Sequence, residues 1–144
     1  MTDAAIRALF ERYERLFNAA LGGDVDMDAI AALYATDVIG AAPAGVRAAN
    51  NDAAFRQVMA EGYAQYRAIG TKSMRIRDIR VTPIDDLHCL AQVGWTATYA
   101  RADLPETAID FEVAYLVQTL DGTPKVFGWI TGDEQQALKD RGII

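Results

Sequence analysis

Apolar residues recur at Ile6, Leu9, Phe10, Tyr13, Leu16, Phe17, Ala20 and Leu21, the i, i+3, i+4, i+7 spacing of one helix face. Thr2 or Asp3 stands where an N-cap is wanted, and Gly22-Gly23 where the helix should stop. Glu11 and Arg15 are spaced for an i,i+4 ion pair on the polar side. Asp26 can cap a short second helix through Ile30, Leu33 and Tyr34. Gly40, Pro43 and Gly45 break helical continuity, with Val38 and Ile39 as a short extended piece before them. A third helix, capped by Asn50 or Asn51 and ended by Gly70, would bury Phe55, Val58, Met59, Gly62, Tyr63 and Tyr66.

From Met74 onward the period changes from 3.6 to 2. Met74 and Ile76 share one phase, Ile79 and Val81 the other. A slip of that kind predicts a β-bulge, and bulges bend sheets. After a turn at Asp85-Asp86, a second strand alternates Cys89, Ala91, Val93, Trp95, Ala97 and Tyr99 on its apolar face. A third does the same with Ile109, Phe111, Val113, Tyr115 and Val117. Asp121-Gly122 is a hairpin turn, a fourth strand covers Lys125 to Thr131, and Asp133 can cap a last helix from Glu134 to Arg141. Helices first and a meander of strands after is an α+β arrangement, and 144 residues make one domain, 1–144.

Composition narrows the function. Hydrophobic residues make up 51% of the chain, which excludes general disorder. The net charge of −6 leaves no basic stripe for nucleic acid or anionic membrane, so neither is an expected partner. Cys89 is the only cysteine and His88 the only histidine, so no disulfide, structural metal or other cofactor is expected. The first residues lack a basic segment followed by an apolar run, and no stretch is long enough to span a membrane. The expectation is a cytoplasmic protein.

Candidate chemistry is sparse. Asp37 could serve as a buried acid/base group, against its reading as a turn residue holding backbone N–H groups. Asp110 and Glu112 share a strand face and would form an acid/base pair if that face were internal, although the opposite parity is the better core. His88 sits at a strand start after two aspartates, and its neighbour Cys89 would point to the other face. The polar-tipped aromatics offer a different device, an apolar pocket with a few hydrogen-bond donors. Tyr13, Phe17, Met59, Tyr63 and Trp95 are the expected lining.

The element order, with Ala32-Leu33-Tyr34-Ala35-Thr36-Asp37 after the second helix, resembles the nuclear-transport-factor-2-like superfamily, which includes ketosteroid isomerases and SnoaL-like polyketide cyclases. The resemblance implies a cone-shaped α+β barrel, with N-terminal helices packed on a strongly curved, mainly antiparallel sheet around an apolar cavity. It also implies a homodimer packed through the sheet. Aligned on Pro43, the Asp base of ketosteroid isomerases falls on Ala42, their helix tyrosine on Leu16 with Tyr13 one turn earlier, and their second acid on Leu116. The resulting expectation is a domain that binds a small hydrophobic molecule, with catalysis open. Its alternatives are an isomerase, cyclase or hydrolase using a pocket carboxylate and a tyrosine donor, and a pocketless dimeric interaction module.

Overall fold

The computed structural model describes residues 1–144, in the order α1 (Asp3–Leu21), α2 (Met27–Ala31), β1 (Tyr34–Ala42), β2 (Gly45–Asn50), α3 (Ala53–Ala68), β3 (Thr71–Pro83), β4 (His88–Arg101), β5 (Leu104–Leu120), β6 (Thr123–Ile130) and α4 (Glu134–Asp140). Helices pack on one open, six-stranded sheet ordered β2-β1-β6-β5-β4-β3. All neighbours are antiparallel except β1 and β6, which run parallel.

Side-chain caps start each helix. Thr2, Asp26, Asp52 and Asp133 each accept a backbone N–H from the first turn. Asp52, not Asn50 or Asn51, caps α3. α2 is shorter than its apolar spacing suggests, because Tyr34 already begins β1. The stretch around Val38 and Ile39 is a full strand paired with a second one, so the sheet has six strands where the alternation showed four. Glu11 and Arg15 form no ion pair, whereas Arg7 reaches back to Asp3 at 2.6 Å.

The core lies between α1 and the inner face of β3–β6. Ile6, Leu9 and Phe10 of α1 are fully buried against Cys89, Ala91, Val93 and Trp95 of β4. The phase slip in β3 is real. Ile76 pairs with Trp95 and Asp78 with Gly94, leaving Arg77 as the extra residue of a bulge. Along its free edge β3 is held by polar side chains of α1. Asn18 donates to the Met74 carbonyl at 2.7 Å and accepts its N–H at 2.9 Å, Glu14 accepts the Ile76 N–H at 2.6 Å, and Arg7 donates to the Ile79 carbonyl at 3.1 Å. These bonds occupy backbone groups that an edge strand otherwise leaves open.

α3 departs from its expected stripe. Only Tyr63 is buried, while Val58 is 65% exposed and Phe55, Met59 and Tyr66 are partly covered. The helix stands off from β1 and β2 instead of closing on them. No helix of the chain is long and apolar enough to cross a membrane.

Candidate ligand site

Alternation sends one parity of each strand inward, and the inner parity of β4, β5 and β6 carries Trp95, Tyr115 and Trp129. α1 lays Tyr13 and Phe17 across them, and Tyr34 enters from the start of β1. Between these rings and α4 lies a cavity of about 490 Å³, within the usual range for small-molecule pockets.

Tyr13 is the hub of the cavity wall. Its ring lies 5.6 Å from that of Trp95, 5.8 Å from Tyr115 and 6.4 Å from Tyr34. Its hydroxyl accepts from Tyr34 Oη at 3.4 Å, and the Tyr115 oxygen beside it accepts the Trp95 Nε1–H at 3.2 Å. Burial raises the pKa of all three tyrosines. The bond that Tyr13 accepts from Tyr34 pulls it partly back, whereas donating it pushes Tyr34 further up. The rise is smaller at Tyr13 than at Tyr34 and Tyr115. Tyr13 is also only half-buried, against 7% exposure for Tyr34 and 4% for Tyr115.

α4 closes one side of the mouth. Tyr66 of α3 donates its hydroxyl to Glu134 Oε1 at 2.6 Å, and both residues border the cavity. Burial, and next the nearby Glu134 charge, hold the Tyr66 hydroxyl well above its ordinary range, so it stays a neutral donor. Leu138 and Ile143 bury the inner side of this C-terminal segment, and Arg101 donates to the Ile143 carbonyl at 2.7 Å.

Of the residues expected to line a pocket, Tyr13, Phe17 and Trp95 border the cavity. Tyr63 does not; it is buried edge-on against Phe17 with ring centroids 5.1 Å apart. Met59 does not either, and packs partly buried against the core. The two expected acid/base groups lie elsewhere. Asp37 is exposed and accepts the Asn50 side-chain amide at 2.5 Å. It shares the outward parity of Ile39, opposite to Val38 and Gly40. Asp110 is exposed on the outer face of β5, bonded to Thr96 Oγ1 at 2.6 Å and 3.6 Å from Arg77. His88 is likewise remote, held by Asp85 at 2.7 Å and Gln118 at 3.1 Å. No three His, Cys, Asp or Glu side chains cluster as metal ligands.

Three carboxylates border the cavity: Glu112, which lies 3.7 Å from Arg80, Asp133, which caps α4, and Glu134, which was not singled out by its sequence context. It follows a capping aspartate on a short helix, which reads as ordinary first-turn acidity. Only the tertiary contact with Tyr66 sets it apart.

The family model described as "NTF2-like protein (DUF6841)" matches residues 3–134. No curated protein matches the chain. Among solved structures, the chain is similar to an NTF-2 like protein of unknown function from Shewanella oneidensis MR-1, at 15% identity and TM-score 0.69, over 92% of this chain and 100% of that one. It is similar to an NTF2-like protein with a cystatin-like fold from Novosphingobium aromaticivorans, at 12% identity and TM-score 0.70, over 98% and 87%. A ketosteroid isomerase-like protein from Erwinia carotovora atroseptica is 20% identical with TM-score 0.64, over 90% and 93%. At these identities the likeness concerns the fold.

Proposed function

The chain belongs to the NTF2-like protein family DUF6841, and we propose that its aromatic cavity binds a small, largely apolar molecule through one oxygen atom. One observation carries this reading. Tyr13 borders a largely apolar chamber and accepts the hydroxyl of the buried Tyr34, which leaves its own O–H to meet a guest oxygen. A ketone or hydroxyl oxygen is the matching acceptor. The test is a thermal-shift screen of apolar ketones, sterols, fatty acids and aromatic acids. At about 100 times its dissociation constant a ligand stabilises the fold by ~2.7 kcal/mol. In a domain of this size that raises Tm by about 5–10 °C. If no compound moves Tm and a crystal structure shows the chamber filled by side chains, the reading fails in favour of a protein-interaction module.

A second reading, turnover of the bound molecule, is supported by the Tyr66–Glu134 pair at the rim. In it Glu134 takes the acid/base role first assigned to Asp37 or Asp110, with Tyr13 as the donor. Ketosteroid isomerisation is not the expected reaction, because Ala42, Leu16 and Leu116 stand where those enzymes carry their acids and tyrosine.

The proposal includes a homodimer formed through the outer face of the sheet. Ile39 and Ile130 are 41% and 53% exposed on that face, beside the half-buried Leu116.

A further inference from the structure

Outside the aromatic chamber lies a second cavity, of about 590 Å³, between the β1–β2 hairpin and α3. The two are neighbours on the same face of the sheet, and Trp129 and Thr131 border both. One ladder row runs through them. Arg47 pairs with Gly40, Gly40 with Trp129, and Trp129 with Tyr115. Paired residues share a face, so this row sets a guanidinium, a gap, an indole and a phenol in line across four strands. At the usual strand spacing its two ends are roughly 14 Å apart.

The gap is required. A Cβ at Gly40 would stand 2.7 Å from Trp129 Nε1, so only glycine lets the indole lie over β1. Ala42, Ala44 and Ala49 keep the floor beyond it low, and Phe55 and Val58 of α3 form an apolar wall, the latter 65% exposed. Two charged side chains border the groove. Asp52 is engaged by the Phe55 N–H as the cap of α3, whereas Arg47 has neither a hydrogen bond nor an ion pair.

We infer that the two cavities form one site for an elongated carboxylate. Its anionic end meets Arg47, its apolar body crosses Gly40 against the Trp129 indole, and its far oxygen function reaches the Tyr13–Tyr115 hydroxyls. The inference rests on the aromatic chamber being a ligand site. A straight acid of about a dozen carbons, hydroxylated at its far end, has the right length and ends for a 14 Å row.

The test compares three probes by calorimetry: 12-hydroxydodecanoic acid, 1,12-dodecanediol, and 2-naphthol as a ligand small enough for the aromatic chamber alone. Binding of the acid should exceed that of the diol, and Arg47→Gln should weaken the acid about three- to fivefold, as for an exposed ion pair, without changing 2-naphthol. The same preference should disappear near 1 M salt, where the screening length is ~3 Å. Gly40→Val should block the long probes. Because that variant can also disturb the fold, Arg47→Gln, an exposed change, decides. If 2-naphthol binds but the acid is indifferent to Arg47, the elongated-site inference is overturned and the chamber reading stands. If none of the three binds, the elongated-site inference is overturned, and the thermal-shift screen decides the chamber reading.

Discussion

The Tyr34 hydroxyl donates to the Tyr13 hydroxyl across 3.4 Å, which commits the Tyr34 proton within the wall of the cavity that both phenols border. The two phenols should therefore respond differently to loss of the oxygen. For a hydrogen-bonded ligand, Tyr13→Phe should cost about 0.5–1.5 kcal/mol of binding, and Tyr34→Phe less, since the Tyr34 proton is already committed to Tyr13. Calorimetry on both variants with one screened ketone decides. A larger loss from Tyr34→Phe would mean that the polarity of the relay has been misread.

Alkaline pH should weaken the fold. Burial raises Tyr13, Tyr34 and Tyr115, and pushes Tyr99 up to about 12. An unfolded tyrosine ionises near pH 10, so between that pH and the folded values the native state binds more protons. The tyrosine contribution to stability is constant below about pH 9 and falls as pH rises through 10 to 12. Urea midpoints across that range, with phenolate absorbance followed in parallel, should decline together. A midpoint that does not fall up to about pH 12 would contradict burial of the cluster.

Glu134→Gln separates binding from turnover. The amide oxygen can still accept from Tyr66, so affinity and Tm should change little. If the cavity turns over its ligand, removal of the acid/base group should lower kcat by about 10²–10⁴-fold. Unchanged turnover of an identified substrate would remove Glu134 from any acid/base role.

The outer face predicts the assembly. Light scattering should give about twice the 15.7 kDa chain mass, and Ile130→Lys, at an exposed position, should give the monomer with an unchanged circular dichroism spectrum. A wild-type monomer at high concentration would exclude the homodimer.

The elements legible in the sequence are those buried on one side only. α1, β4 and β5 each carry a continuous apolar face at the right period, and their inward residues follow it. β1 and β2 were obscured because Gly40, Ala41, Ala42, Ala48 and Ala49 have no alternation to read, and no residue of β2 is buried. α3 misled for the opposite reason. Its apolar positions follow the helical period but several border an open groove. Of the site, Tyr13, Phe17 and Trp95 were readable as inward aromatics, since each sits in a strong periodic pattern. The outward side of Asp37 could not be read, because the extent of its strand could not be seen. The approach of Glu134 to Tyr66 spans 68 residues and leaves no local mark.

The bulge at Arg77 has a consequence for how this chain can vary. From Met74 to Val81 the inward residues of β3 are even-numbered before it, as Met74 and Ile76, and odd-numbered after it, as Ile79 and Val81. Arg77 thus acts as a frame shift in the counting of faces. Its side chain reaches across the sheet to the carbonyls of Trp95 and Phe111, both at 3.2 Å, and anchors the shift. Deleting this one residue would shorten the strand by only ~3.4 Å and set Met74, Ile76, Ile79 and Val81 in one unbroken parity, so the dry face would be kept and the local bend lost. A single deletion is therefore tolerable at Arg77, whereas at a regularly paired position such as Arg75 it would exchange the wet and dry sides of what lies beyond.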